Sequence, residues 1–218
     1  MNKVTTLMLN KTAHPIRFKF HTDKLAACIA LLAQENLPEL TKLKVVKLLY
    51  YIDKYHLTRY GRPVTGDVYY HWDHGPVPIQ SLNVINEVLD DDDVSKENGE
   101  TDKDVLSKYI RVNRFSIPAI KRRRYPIFEL NSPPNVDCLA ASEIEAIKEV
   151  VKKYGQFSPI QLRDETHKDP TWSATQRNEQ IDYSLFFEGD PDARREALEY
   201  LESLREDSEF ISELTSSD

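Results

Sequence analysis

From Asp67 to Pro78 the chain reads DVYYHWDHGPVP, which sets His71, Trp72 and His74 among tyrosines, a glycine and two prolines. Four kinds of chemistry suit such a cluster: a metal centre, a catalytic pocket, a surface on which nucleotides stack, or a bend packed into a core. A metal centre would draw on His71, Asp73 and His74, completed by His167 and Asp169. Imidazole and carboxylate are good ligands, but the spacing matches no HExxH helix. Cys28 and Cys138 are the only cysteines and stand alone, so they define neither a zinc site nor a disulfide framework. Nucleophilic catalysis finds no GxSxG elbow and no glycine-rich phosphate loop, and Ser142 and Ser158 read as helix caps. No catalytic residue, no metal ligand and no cofactor is expected, and the chain is read as a non-enzyme.

Nucleic-acid contact rests on Lys121, Arg122, Arg123 and Arg124 followed by Tyr125, where cations would meet phosphates and the ring would stack on a base. The segments SEIEAIKEVVKKYG and SPIQLRDETHK are joined by a tight turn, as in a helix-turn-helix. The second of them, however, sets Asp164 and Glu165 beside Arg163 and Lys168, so it brings no net positive charge to DNA. The whole chain carries −7, and phosphate neutralisation is the main source of nonspecific affinity. Nucleic acid is therefore not the expected partner. The last reading is a rigid aromatic wall. In an extended Val68–Trp72, Tyr70 and Trp72 share one face and Tyr69 and His71 the other. The wall would pack on the helix before it, bend at Gly75, and leave part of itself exposed for a protein partner. Replacing Trp72 or Trp172 by alanine is then expected to unfold the domain.

The elements that position these residues follow from periodicity. Thr22 is read as the N-cap of a helix with Leu25, Ile29 and Leu32 on one face. LTKLKVVKLLYYIDKYHLTRYG is a helix apolar over most of its circumference, with Lys44, Lys47 and Lys54 as a narrow wet stripe and Gly61 as its stop. Pro76 and Pro78 suit the first turn of the next helix, continued by Ile79, Leu82, Ile85 and Leu89. KYIRVN and YPIFEL read as two short strands, a hairpin with a long connection. Ser142 with Glu145, and Ser158 with Gln161 around Pro159, give two capping boxes. A final acidic helix from about Pro191 carries Ala197, Leu198, Leu201 and Leu204. The expected fold is mainly α with a small β-sheet or hairpin, an α+β domain. Residues 1–21 form an arm, 22–178 the domain, and 179–218 an acidic helical extension packed on it.

Charge is unevenly placed. Asp190 to Asp218 holds ten acids and three bases, which accounts for the whole −7. Asp90 to Asp104 holds eight acids and two lysines, and Val105 to Tyr125 seven bases and no acid. No apolar run approaches the roughly 20 residues of a membrane span, and the first residues lack a signal-peptide pattern, so a cytoplasmic protein is expected. The C-terminal segment, with an apolar stripe and Glu199, Glu202 and Glu206, would suit either the domain's own core or docking on a basic partner. With Lys121–Arg124 and Tyr125, these glutamates are the candidate partner-binding residues.

Taken in order, the motifs resemble the Panacea, or SocA-like antitoxin, domain. They are the LLYY helix with Tyr50 and Tyr51, the turn from Gly61 through Pro63 to Val64, and the W-x-x-G-P-V run of Trp72, Gly75, Pro76 and Val77, with His74 inside it. Downstream stand Tyr154, Gly155, Ser158, Leu162, Thr166, His167, Pro170 and Trp172. The resemblance covers about residues 22–175. It implies a mostly helical bacterial or phage-associated antitoxin that neutralises a cognate toxin, encoded by a neighbouring gene, through direct protein contact. It also implies one alternative, an adaptor delivering a bound toxin to an energy-dependent protease; a further alternative, a DNA-binding regulator, would use the basic segment, because the extra DNA-binding domain of some members is not recognisable here. The basic KRRR segment and the acidic C-terminal helix are departures from the core pattern.

Overall fold

The computed structural model describes residues 17–90, 100–114 and 125–187, and beyond these residues 195, 196, 199, 200 and 203. Two apolar helices form its centre. Helix α1 (Thr22–Gln34) buries Leu25, Ile29 and Leu32 together with four alanines and Cys28, small residues that let neighbours approach on several sides. Helix α2 (Lys42–Tyr60) starts at Thr41, whose side chain accepts from the Lys44 N–H, and ends at Gly61 with φ 72°. That left-handed cap is the conformation glycine adopts without penalty. The expected cap at Thr22 is displaced by one residue: His21 is the N-cap, and the Thr22 hydroxyl instead donates to Asp102 at 2.7 Å.

The wet stripe expected on α2 is dry at two of its three lysines: Lys44 and Lys47 are both fully buried, while Lys54 keeps part of its side chain in solvent. Their ammonium groups are held by backbone carbonyls: Lys44 Nζ donates to Pro38 O at 2.6 Å and Gly155 O at 2.7 Å, and Lys47 Nζ to Pro76 O at 2.7 Å. Burial lowers both amines, Lys44 to about 8 and Lys47 to about 7.

The aromatic segment forms a hairpin of β1 (Tyr69–Trp72) and β2 (Gly75–Pro78), closed by Asp73 and His74 and followed by α3 (Ile79–Asp90). Pro76 and Pro78 therefore lie in a strand, not in the first turn of a helix. The hydrogen bonds explain why. His71 N donates to Glu179 O, and Tyr69 O accepts from Ile181 N, so the polar backbone of Tyr69 and His71 faces away from β2. Their partners Pro78 and Pro76 sit at non-hydrogen-bonded positions, where a missing N–H costs nothing. Asp67 then bridges the hairpin to α3, its carboxylate accepting from Gln80 N at 2.9 Å and Ser81 N at 2.6 Å.

Around this centre lie α4 (Asp102–Tyr109), β3 (Ile110–Asn113), β4 (Ile127–Leu130), α5 (Ala141–Tyr154), α6 (Pro159–His167), the short α7 (Pro170–Ser173) and a 3₁₀ turn, Tyr183–Phe187. β3 and β4 pair antiparallel, as the hairpin reading requires. The fold is mainly helical, with two small two-stranded antiparallel sheets among the described residues. Lys108 and Tyr109, expected in the strand, belong to α4, which starts with a capping box of Thr101 and Asp104 inside the acidic block. The capping box at Ser158 and Gln161 forms as expected. The one at Ser142 does not: α5 starts two residues earlier at Ala140, whose N–H donates to Glu143 at 2.9 Å, while Ser142 Oγ lies 3.0 Å from His56 Nε2. Tyr183 and Phe186 fold back onto Tyr69 and Tyr50, with ring centroids 5.2–6.4 Å apart.

Candidate functional site

The hairpin tip and the α6–α7 corner converge at one end of the molecule. Gly75 has φ 92°, and a Cβ there would lie 2.5 Å from Thr166 Oγ1 and 3.0 Å from Lys47 Nζ, so only glycine fits. Thr166 is fully buried and donates to Arg163 O at 2.7 Å. Lys47 reaches up from α2 to the Pro76 carbonyl. Thus α2, the hairpin and α6 approach one another closely at a single glycine, and the Lys47–Pro76 O hydrogen bond ties α2 to the hairpin there.

Next to this pin, the Trp172 indole lies between two imidazoles. His167 stacks on it at 4.3 Å and 11°, and His71 at 4.1 Å and 31°. Trp172 Nε1 donates to Trp72 O at 3.3 Å, and His71 Nδ1 donates to Thr175 O at 2.7 Å, the carbonyl being able only to accept. Burial, then the charge of Lys47, push the His167 pKa below its usual value, which favours the neutral ring. His167 Nε2 is buried and without a hydrogen-bond partner among the described residues. Among the described residues, no group of three or more histidine, cysteine, aspartate or glutamate side chains is arranged to hold a metal ion.

The other predicted residues are placed as follows. Trp72 is 40% exposed at the hairpin tip, which corrects the expectation of a wall buried on α2; it is Tyr69 that turns into the core. His74 is exposed, and the neighbouring Asp73 pairs with Arg177 at 2.7 Å. Val77 is buried. Tyr50 is buried deep in α2, and Tyr51 stacks on Tyr154 at 4.1 Å. Gly61 and Pro63 lie at the far end of α2 from Lys47, about 20 Å away at 1.5 Å per residue, and the ring of Tyr200 covers Gly61. Tyr125 is exposed, as is Glu199. Lys121, Arg122, Arg123, Arg124, Glu202 and Glu206 lie outside the described residues.

Sequence reasoning misses the buried charges. Asp53 accepts from Val64 N and Thr65 N at 2.8 Å each, from Thr65 Oγ1 at 2.5 Å, and from the Tyr69 hydroxyl at 2.8 Å. Burial raises its carboxyl to about 6, against the pull of those hydrogen bonds. Glu143 takes Lys24 and Arg62 on one oxygen. The only signal for them is position: acids and lysines at helical spacing on helices otherwise apolar all round.

The family described as Antitoxin SocA-like, Panacea domain, matches residues 45–173, well over half of the chain. This chain belongs to that family. The match begins in α2 and ends at α7, so it spans the whole pin and the imidazole–indole stack of this Panacea domain. The core also takes in α1 before the match and Tyr183 and Phe186 after it. No curated protein and no solved structure matches the chain.

A pH dependence follows from Lys47. Its folded pKa of about 7 lies below the ordinary 10.5, so between those values the unfolded chain binds a proton that the folded one releases. Stability contributed by this group rises with pH across that window, by on the order of 1 kcal/mol per pH unit. Melts at pH 7, 8 and 9 should show the rise in the parent and a flatter profile in Lys47→Met, which removes the buried charge while leaving Pro76 O without its donor, a loss that does not vary with pH.

Proposed function

We propose that this chain is an antitoxin that neutralises a cognate protein toxin, the product of a neighbouring gene, by direct binding and without catalysis. The observation that carries the reading is that several residues of the family motifs, Gly75, Thr166, His167 and Trp172 among them, are engaged in holding the fold together, while Trp72 and His74 are left facing solvent. Lys47, Gly75 and Thr166 are buried against one another, and Trp172 is clamped between His71 and His167. What faces solvent at that end is a rigid hairpin tip bearing Trp72, Asp73 and His74. A braced scaffold presenting an exposed aromatic suits recognition of another protein, because little ordering entropy is lost on binding.

Co-expression tests the reading. Growth should be rescued with the toxin still present at undiminished level, in a stable complex that co-purifies. Rescue that depends on an energy-dependent protease and removes the toxin would favour the adaptor instead. Salt-sensitive retention on DNA without any protein partner would favour the regulator.

Trp72 separates scaffold from surface. Because it is 40% exposed, Trp72→Ala should lower stability by less than about 1 kcal/mol. As an exposed aromatic at the contact it should weaken the complex at least about tenfold, since interface tryptophans commonly carry more than 1.4 kcal/mol. Thermal melts and titration of the two purified proteins give both numbers.

A further inference from the structure

The seam between α2 and α5 opens into a cleft of about 720 Å³. The helices run antiparallel there: Tyr51 stacks on Tyr154 at one end, and Tyr60 donates to Glu145 at the other. Tyr51 and Tyr55 are four residues apart and so share a face of α2; with Tyr154 and Val150 they line an aromatic floor. The rim carries Lys54, Arg59, Lys152 and Lys153 against only Glu149 and Asp169. Lys54 is tied to Asp169 at 2.7 Å, and Lys152 lies 3.7 Å from Glu149. Arg59 and Lys153 have no carboxylate partner among the described residues. Each lies over a tyrosine ring instead, at 4.3 Å from Tyr55 and 4.9 Å from Tyr154. A cleft with four cations and two acids is locally inverted in sign relative to a chain of net charge −7.

We infer that this cleft is a docking groove for a short acidic segment of the partner polypeptide, with an apolar side chain on the tyrosine floor and carboxylates on Arg59 and Lys153. The inference rests on the antitoxin reading for the partner's identity. From Tyr51 to Arg59 the groove runs about 12 Å at helical rise, the span of three to four extended residues. A segment that short feels the local field, since charges beyond about 8 Å are screened at physiological salt. A long polyphosphate would meet Glu149, Asp169 and the acidic remainder of the chain, so a peptide fits better than nucleic acid.

The test uses the full chain and its double variant Arg59→Glu/Lys153→Glu. Both positions are exposed, and the melts of parent and variant should agree closely. The first probe is a labelled hexapeptide alternating glutamate and phenylalanine, compared with its lysine–phenylalanine counterpart at low salt. The parent should prefer the acidic peptide at least about tenfold, and the variant should lose or reverse that preference, as charge complementarity requires. The second probe is the purified neighbouring-gene product, whose complex should weaken at least about tenfold in the variant. Equal binding of both peptides by the parent, or a preference unchanged in the variant, overturns the inference. So does competition by an RNA oligonucleotide that displaces the acidic peptide, or a parent dimer that the variant converts to monomer. If the peptide preference holds while no complex forms with the neighbouring product, the groove stands and the antitoxin reading falls. If the complex forms and both proteins bind it equally, the reverse is true.

Discussion

Asp53→Ala is expected to lower stability by about 4 kcal/mol, which for a domain of ordinary stability of about 5–15 kcal/mol is a large share of the total. Asp53 is fully buried and serves four donors. Two of those, the N–H groups of Val64 and Thr65, belong to the turn after α2 and have no other acceptor among the described residues. Each buried donor left unpaired costs about 1–3 kcal/mol. The Tyr69 hydroxyl, wholly desolvated, loses its partner as well. Removing the buried carboxylate relieves its desolvation in return, which keeps the loss below the sum of the orphaned donors. Urea denaturation of parent and variant measures the difference. A change under about 1 kcal/mol would mean the turn is held by other contacts.

Trp172→Ala is the second large effect, on the order of 3 kcal/mol. The indole is sandwiched by two imidazoles and donates to the Trp72 carbonyl. Its removal leaves His71 and His167 each without a stacking face and opens a hole between the hairpin and α6. Because Trp172 is only partly buried, water can enter part of that hole, which keeps the loss below the upper range for a tryptophan. In a chain this long each kcal/mol moves the midpoint by about 2–4 °C, so the melt should fall by about 6–12 °C. The contrast with Trp72→Ala is the informative part: two tryptophans in neighbouring motifs, one bracing the fold and one facing outward.

Much of the fold is legible in the sequence where one local rule decides the outcome. Gly61 ends α2, and Ser158, Pro159 and Gln161 start α6, because caps depend on residues adjacent in the chain. The order of the family motifs is legible for the same reason. Reading fails where tertiary context overrides the local rule. Lys44 and Lys47 look like a solvated stripe until α2 is surrounded and backbone carbonyls from Pro38, Gly155 and Pro76 receive them. Pro76 and Pro78 look like helix starters until a third segment, 178–181, takes the other edge of β1 and sets the register that tolerates them. Ser142 gives way to Ala140 because Glu143 is drawn to Lys24 and Arg62, far off in sequence. Helix α4 goes unread because its Thr101–Asp104 box is hidden in a run of acids. As for the site, sequence supplies its residue types; only the fold shows that they turn inward on each other.

The proposed antitoxin role requires stoichiometric binding, and stoichiometry is what separates a binder from a catalyst. Purified chain titrated into the purified neighbouring-gene product, with no protease present, should abolish toxin activity at a fixed molar ratio near equivalence, and the toxin released from the complex should be chemically intact and active again. Full inactivation at a small fraction of equivalence, or a recovered toxin that is cleaved or modified, would contradict the account.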